Sequence, residues 1–454
     1  MLPASMPSRA RAATGAEDIG AIFARSGLGR GSGFAVMDLG TDLNRGALLE
    51  SHRANDQFPP ASVVKILTAL YTLDALGGDY RFRTRVIMAG GDLVLIGDGD
   101  PGLDTDALGD LAGEVARSGQ RPRRLWTASG ALPAIGMIDR DQPPLAAYNP
   151  AISGLNLNYN RARFSWSGGR LRVTAPGERF TAPVTVPRVT PTDRARPRLT
   201  TGASGEVWQI PRGDLGGEGS IWLPVRDPAP YAASAFSALL GGAGLGPPAP
   251  SGTVPPGTSG SVVAEHLSDT AVDLVRNMLF HSTNLTAEAL GLRASQARGA
   301  APGDLARSGA AMRDWARGHL GLERASIVNH SGLTDATRIA PGEMLRVLAR
   351  AHRPLAGLLR ERRIGASPDN PGFLPSRARL LCKTGTLDFV SALAGYLTIG
   401  DRRLAFAIFA ADPAARSRIP AAERDNPPGA KAWARRAREQ EQALLRRWAT
   451  LYGG

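Results

Sequence analysis

The sequence contains little cysteine, little histidine and few aromatic residues. Its single cysteine among 454 residues excludes an internal disulfide and cannot by itself form a zinc site. The six histidines show no metal-hydrolase spacing such as HExxH or HxH, so metal-dependent hydrolysis is not expected. We expect no metal or other cofactor. No stretch approaches ~18 consecutive apolar residues, which excludes a membrane-spanning helix. The hydrophobic fraction of 43% is that of an ordinary globular chain with large buried cores.

Acidic residues are a minority of the charged residues, and the net charge is +13. A charge of this size favours an anionic partner. Nucleic acid is not expected, because the basic residues are scattered, aromatic residues make up only 6% of the chain, and no nucleic-acid readout motif is present. Weak association with an anionic cell-wall polymer or membrane surface would suit the charge equally well.

Lysine is scarce. Only three of the 54 basic residues are lysine, namely Lys65, Lys383 and Lys431. Genomic base composition is one explanation of this bias. Arginine stays protonated in proteins, however, whereas lysine can lose its proton and act as a base. Lys65 and Lys383 are therefore candidates for positions that arginine cannot fill.

Residues 1–15 do not form a complete signal peptide, because no apolar segment follows a charged start. Within them, the run Ala10-Arg11-Ala12 resembles a signal cleavage site. A start assigned too far downstream, or a trimmed chain, would explain such a remnant.

Hydrophobic periodicity and turn residues outline the secondary structure. The predicted elements are a hairpin over 33–50, a helix over 62–76, a strand–helix–strand unit over 92–128, short strands over 163–225, a helix over 229–241, a loop over 241–260, helical segments over 262–298 and strands over 379–410. A last helix over 429–451 is apolar on one face and rich in arginine on the other. Packing of that apolar face on a core sheet is favoured over binding to a membrane surface.

The segment from Ser62 to Lys65 has the pattern SxxK at the start of a predicted helix. Residues three apart on a helix share a face, so the lysine amine can reach the serine hydroxyl. A serine hydroxyl becomes a good nucleophile when a neighbouring base takes its proton. The pattern alone is common in proteins, but the scarcity of lysine makes a chance pairing less frequent here.

A second short motif is Ser282-Thr283-Asn284, which lies between two helical stretches. In an extended chain, the hydroxyl and the amide would point to the same side and suit a proton relay beside a group that binds a substrate amide. The alternative is helix capping, because Ser, Thr and Asn are favoured N-cap residues and Glu288 lies further into the helix.

The third motif runs from Lys383 to Thr386 and reads KTGT between apolar runs. A buried lysine is costly unless it is used. Gly385 would let another chain approach closely, and the two threonines with a cation would suit a carboxylate. The alternative is a lysine on an edge strand that extends to solvent. Cys382 is expected to be a small buried residue of the same strand.

In this order, SxxK, SxN and KTG resemble the signature of penicillin-binding proteins and β-lactamases. About 220 residues separate Ser62 from Ser282, and no ExxLN-like glutamate follows, which is unlike class A β-lactamases. The spacing resembles the low-molecular-mass class C penicillin-binding proteins, the D-alanyl-D-alanine carboxypeptidase/endopeptidase family. Further stretches resemble that family at 58–84, 93–103, 148–160, 224–236, 281–290, 329–334 and 382–397.

The resemblance implies an α/β (α+β) fold in which a transpeptidase-like domain, an antiparallel sheet flanked by helices, carries a large insertion of one or two small domains. The expected borders place the catalytic domain at 1–84 and 262–454, with the insertion at 85–261. Within the insertion, a βαβ-like part is expected at about 92–165 and a β-rich part at about 166–225.

The resemblance also implies the catalytic roles. Ser62 would be the nucleophile, Lys65 its base, and Ser282 the proton relay, while Asn284 would hold the substrate amide. Lys383, also catalytic, would supply the positive potential that keeps Lys65 partly neutral and attracts the terminal carboxylate of the substrate. The substrate-binding residues implied are Thr384, Gly385 and Thr386 at that carboxylate, with Asp139, Asp141 and Tyr148 at a side pocket for the diaminopimelate side chain of the acyl donor.

The implied activity is that of a serine-type D-Ala-D-Ala carboxypeptidase, an endopeptidase, or both, acting on peptidoglycan and inhibited by β-lactams. Its location would be periplasmic or otherwise extracytoplasmic. Two alternatives stay open: a catalytically silent cell-wall binding protein, and a β-lactamase of the same superfamily.

Overall fold

A computed structural model describes residues 16–40, 46–202, 205–255, 257–362, 378–420, 423–424 and 426–453. The helices, in chain order, are α1 (Ile19–Ser26), α2 (Lys65–Leu76), α3 (Thr105–Arg117), α4 (Pro228–Gly242), α5 (Ala271–His281), α6 (Asn284–Ala297), α7 (Leu305–Leu320), α8 (Pro341–Arg350), α9 (His352–Ala356), α10 (Pro413–Ser417) and α11 (Ala430–Tyr452). The strands are β1 (Ser32–Asp38), β2 (Ala47–His52), β3 (Arg83–Ala89), β4 (Asp92–Gly97), β5 (Arg124–Ala128), β6 (Arg161–Ser167), β7 (Arg170–Pro176), β8 (Thr181–Pro183), β9 (Arg188–Thr192), β10 (Arg198–Gly202), β11 (Gly205–Pro211), β12 (Glu218–Pro224), β13 (Ala249–Thr253), β14 (Ser261–Leu267), β15 (Arg360–Arg362), β16 (Ala378–Leu387), β17 (Val390–Ile399) and β18 (Arg402–Ala411).

The chain divides into two compact units. The first unit comprises Met1–Val63, Ala316–Ser326 and Asp335–Gly454, and the second comprises Val64–Trp315 and Ile327–Thr334. Both mix helices with sheets, and antiparallel sheets flanked by helices give the chain its expected α+β class. The borders predicted at 84/85 and 261/262 stay a prediction. The Ala10-Arg11-Ala12 run lies outside the described residues.

The first unit is built on a six-stranded antiparallel sheet in the order β15-β16-β17-β18-β1-β2. Helices α1 and α11 pack on one face, and α8 contacts strands β1, β17 and β18. Because helices flank the sheet, β17 and β18 are apolar and buried along most of their lengths. The sequence predicted these strands and the hairpin formed by β1 and β2.

The amphipathic helix α11 buries its apolar face against this sheet. Leu444 and Trp448 lie in one core cluster with Phe34, and the Trp448 indole donates a 2.9 Å hydrogen bond to Glu50. Packing on the core, the favoured reading of this helix, is therefore confirmed. Among the described helices, none is long and apolar enough to cross a membrane.

The second unit contains a five-stranded sheet in the order β13-β5-β4-β3-β14, together with the smaller sheets β12-β6-β7-β8 and β10-β11-β9. Strands β4 and β5 are parallel and joined by α3, as the predicted strand–helix–strand unit requires. Helices α3 and α4 contribute to the core cluster beside this sheet. Helices α2, α5 and α6 pack together in the same unit.

Two segments differ from the sequence prediction. The start of the predicted helical stretch at 262 is strand β14, which pairs antiparallel with β3, and the predicted loop at 241–260 contains β13, which pairs with β5. Both strands pair with partners more than 100 residues earlier in the chain, at the two edges of the sheet. Local periodicity carries no information on such long-range backbone pairing.

Candidate active site

Ser62 lies in a 3₁₀ turn, Ala61–Val64, that leads directly into α2 at Lys65. The turn is closed by a 3.0 Å bond from the Val63 amide to the Pro60 carbonyl. Ala61 has a φ of 43°, a strained value for a residue with a side chain. Ser62 keeps partial exposure while its neighbours in the turn are buried. Strain of this kind is often found at functional sites.

Strand β16 approaches the Ser62 turn within the first unit. A Cβ atom added to Gly385 would lie 2.6 Å from the Pro60 oxygen and 2.8 Å from the Ser62 nitrogen. Real Cβ atoms do not come this close to backbone atoms, so only glycine fits between the two segments. The close approach expected at Gly385 is confirmed.

Lys383 is buried on β16, with 2% of its surface exposed. Its ammonium donates a 2.7 Å bond to the Thr384 carbonyl. Burial, with a smaller contribution from the nearby Arg362 charge, lowers the pKa of Lys383 to about 7. The alternative of an edge lysine reaching into solvent is wrong, because the side chain is buried.

The two threonines of the motif differ in their surroundings. Thr384 is half-buried, and its hydroxyl accepts a 3.4 Å bond from Arg362. Thr386 is exposed. Cys382 is buried in the core between the sheet and α11, as expected, and burial raises the pKa of its thiol to about 12. A thiol in this state is inert.

Lys65 is fully buried in the second unit. Its Nζ donates 2.8 Å hydrogen bonds to the Asn284 side-chain oxygen and to the Ser331 carbonyl. The packing of α2 on α6 brings Lys65 and Asn284 together across more than 200 residues of sequence. The same Asn284 amide donates a 3.0 Å bond to the Tyr148 carbonyl.

Ser282 ends α5 in the left-handed conformation, with a φ of 60°. The Ser282–Asn284 segment is therefore a tight turn between α5 and α6 rather than the extended chain that the sequence suggested. Thr283 is the N-cap residue of α6, but its side chain makes no capping bond. The capping alternative fails for Asn284 as well, because its side chain bonds Lys65 and Tyr148.

The role of Glu288 was not predicted from the sequence, where this residue was considered only in connection with helix capping. Glu288 is fully buried on α6, and its carboxylate accepts bonds of 3.0 Å from the His330 amide and 2.8 Å from the Ser331 amide. Burial raises the pKa of Glu288, while these bonds and Lys65 act in the opposite direction. Glu288 thus fixes the segment whose Ser331 carbonyl holds Lys65. In the sequence, Glu288 lies four residues after Asn284, which places the two side chains on the same face of a helix. This spacing could have indicated that Glu288 belongs to the site.

The loop carrying Asp139, Asp141 and Tyr148 also belongs to the second unit. The Asp139 carboxylate accepts bonds from the Asp141 amide at 3.0 Å and from Gln142 at 2.9 Å, and the Tyr148 hydroxyl bonds Gln142 at 3.2 Å. The loop reaches the SxN motif through the Tyr148 carbonyl. A substrate role for Asp139 and Asp141 stays a prediction.

Comparison with known proteins places this chain in a family. It matches the model of the D-Ala-D-Ala carboxypeptidase 3 (S13) family over residues 16–425. It is 28% identical over 460 residues to a D-alanyl-D-alanine carboxypeptidase of Actinomadura sp. (strain R39), a match that covers 86% of this chain and 80% of the relative.

Solved structures share the fold. Penicillin binding protein 4 of Haemophilus influenzae, at 19% identity, gives a TM-score of 0.66 and covers 87% of this chain and 93% of its own. The same protein complexed with a β-lactam gives a TM-score of 0.64. A predatory endopeptidase of Bdellovibrio bacteriovorus, at 14% identity, gives 0.50 and covers 91% and 92% of the two chains. The family match confirms the resemblance read from the three motifs, and the chain belongs to the D-Ala-D-Ala carboxypeptidase 3 (S13) family of serine peptidases.

Proposed function

We propose that Ser62 is the nucleophile of this peptidase and that Lys65 is its general base. The observation that carries the proposal is the pair of hydrogen bonds that the Lys65 amine donates. A neutral amine has two N–H groups and one lone pair, and the Asn284 and Ser331 oxygens engage two N–H groups of Lys65. In the catalytic step, the lone pair of such an amine accepts a proton from a hydroxyl nearby. Ser62 stands one helical turn before Lys65 along the chain.

In the acylation step, the Ser62 oxygen attacks the carbonyl carbon of the penultimate D-Ala, and the Ser62 proton passes to Lys65. The tetrahedral intermediate collapses as the C–N bond breaks, and Ser282 relays a proton to the departing amine. Backbone N–H groups of Ser62 and Thr386 supply the oxyanion hole that the family resemblance implies. Water then attacks the Ser62 ester, which releases the acid and restores the hydroxyl.

Lys383, Thr384 and Thr386 are assigned to the terminal carboxylate of the substrate. A cation beside hydroxyl groups recognises a carboxylate through charge-assisted hydrogen bonds. A departing D-Ala gives carboxypeptidase activity, and a departing amine of a neighbouring stem peptide gives endopeptidase activity. Both proceed through the same ester on Ser62.

We also propose that β-lactams acylate Ser62. This is supported by the family match and by the β-lactam complex of a protein with the same fold. Because peptidoglycan lies outside the cytoplasmic membrane, we place the action of the protein there. The basic net charge suits an anionic sacculus.

The carboxylate role of Lys383 predicts a pH dependence. With a pKa of about 7, Lys383 is protonated below pH 7 and loses its charge as the pH rises through that value. We therefore expect kcat/KM for a peptide ending in a free carboxylate to fall above pH 7. Lys383→Arg keeps its charge at alkaline pH, so this fall should shift upward by at least about one pH unit.

The measurement is the release of D-Ala from a D-Ala-D-Ala pentapeptide between pH 5 and pH 10. Lys431→Arg is the matched control, since Lys431 is exposed on α11. If kcat/KM of Lys383→Arg fell at the same alkaline pH as that of wild type, Lys383 would have no role in binding the carboxylate. Absence of D-Ala release from wild-type protein at every pH would contradict the proposed function itself.

A further inference from the structure

A cavity of about 250 Å³ opens in the β-rich part of the second unit, where two small sheets share one core. Trp166 on β6 and Leu171 on β7 line it from one sheet, and Pro191 on β9 lines it from the other. The segment that joins β11 to β12 adds Arg212 and Leu215 to the wall. None of these residues belongs to the candidate active site.

The floor of the cavity is apolar and fixed. Trp166 lies opposite Leu171 in the antiparallel β6–β7 pair, so the two side chains share a face of the sheet. On its other side Trp166 lies opposite Gly219 of β12, where an added Cβ would come within 2.4 Å of the indole ring. Only glycine therefore leaves room for the indole across this strand. Trp166 and Leu171 also pack against the buried core cluster of this part of the unit, which holds the floor in place.

The rim of the cavity carries a pair of opposite charges. The Arg212 Nε atom donates a 3.0 Å hydrogen bond to the Asp193 carboxylate. Both side chains are largely exposed, at 65% and 91%. An exposed pair of this kind contributes little to stability, but it places several N–H donors and a carboxylate acceptor beside the apolar floor.

The entrance is formed by residues without side chains. Gly169, Gly216 and Gly217 line the cavity, and a Cβ atom added to any of them would meet no atom within 4 Å. The indole floor is thus reached through an open side, next to the Arg212–Asp193 pair.

These features together identify a ligand class. Binding sites for small ligands combine an apolar or aromatic lining with a few placed polar groups. A sugar ring presents C–H groups on its face, which stack on an indole, and hydroxyl or amide groups at its edge, which hydrogen-bond to arginine and aspartate. An apolar peptide would use the floor but would leave the charged pair without a role.

We propose that this cavity binds an N-acetylated amino sugar of the peptidoglycan glycan strand. The family of this chain acts on a polymer whose backbone consists of such sugars. A sugar site in the inserted part would hold the enzyme on the polymer while stem peptides are cleaved. This link to peptidoglycan rests on the proposed function, whereas sugar binding can be measured without catalysis.

The first test is isothermal titration of the protein with a soluble tetramer of N-acetylglucosamine, and with cellotetraose, which lacks the acetamido groups. Gly216→Phe fills the entrance without removing a contact, and Trp166→Leu removes the stacking surface. Gly213→Phe is the matched control, since Gly213 lies in the same segment, also faces open space and does not line the cavity.

Wild type should bind the N-acetylglucosamine tetramer with a Kd below about 1 mM. Trp166→Leu should weaken this binding by about 3- to 10-fold, and Gly216→Phe should weaken it by about tenfold or more through a direct clash. Gly213→Phe should keep the wild-type Kd. Equal binding of cellotetraose by wild type would contradict the assignment to an amino sugar.

The second test compares D-Ala release from intact sacculi with release from a soluble pentapeptide. Gly216→Phe should lower the rate on sacculi by about tenfold or more, because the second attachment to the polymer is lost. The rate on the soluble pentapeptide should stay at the wild-type value in Gly216→Phe and in Gly213→Phe.

The inference is overturned if wild type does not bind the tetramer, or if Gly216→Phe binds it as wild type does. Dimers of wild type that are lost in Gly216→Phe, without sugar binding, would instead assign the cavity to an interface between copies. Failure of the proposed function looks different. In that case wild type would release D-Ala from neither substrate, while the titration with the sugar would still report on the cavity.

Discussion

Replacing Lys65 with arginine is expected to lower kcat for D-Ala-D-Ala hydrolysis by about 10³-fold or more, as removal of an essential member of a catalytic group does in other serine peptidases. Arginine keeps the positive charge but cannot take the Ser62 proton. Acylation by a penicillin should slow by a similar factor, because the same proton must leave Ser62.

Lys65 is fully buried, so the larger guanidinium could also disturb folding. Lys65→Met serves as a second variant, since its unbranched side chain fills similar space without a base or a charge. Thermal unfolding of both variants separates loss of fold from loss of the base, and Lys431→Arg is the control for lysine replacement on an exposed helix face. A folded Lys65→Arg enzyme within tenfold of wild-type kcat would exclude Lys65 as the general base.

Gly385→Ala is expected to give the second largest loss, about 10²-fold in the rate of Ser62 acylation. The added Cβ would lie 2.6 Å from the Pro60 oxygen and 2.8 Å from the Ser62 nitrogen, so the turn or the strand must move. A displacement of about 1 Å at reacting groups can cost a factor of this size. Overpacking should also lower the free energy of unfolding by about 1–3 kcal/mol.

The matched control is Gly357→Ala in the same unit, where an added Cβ meets no atom within 4 Å. The acylation rate is followed with a fluorescent penicillin, and stability is followed by thermal unfolding. If Gly385→Ala were acylated at the wild-type rate, close packing of β16 on the Ser62 turn would have no part in catalysis.

The local parts of the site could be predicted from the sequence. SxxK lies at the start of a helix and KTG in a strand, and both positions follow from residue type and periodicity over a few residues. The scarcity of lysine singled out Lys65 and Lys383 before any resemblance was considered. Both lysines are buried, which is the environment in which lysine and arginine differ most.

Features that depend on distant contacts could not be predicted. Glu288 acts through the His330 and Ser331 amides, and the Ser282 turn adopts a left-handed conformation that an Asn or Gly would have signalled more clearly.

Formation of an acyl-enzyme on Ser62 is measured by incubation with a fluorescent penicillin, followed by intact-mass measurement of wild type and of Ser62→Ala. We expect one stable adduct per wild-type chain and none on folded Ser62→Ala. Folded wild-type protein without an adduct would exclude Ser62 as the acylated nucleophile. It would favour a silent wall-binding protein if the penicillin stays intact, or a β-lactamase if the penicillin is consumed.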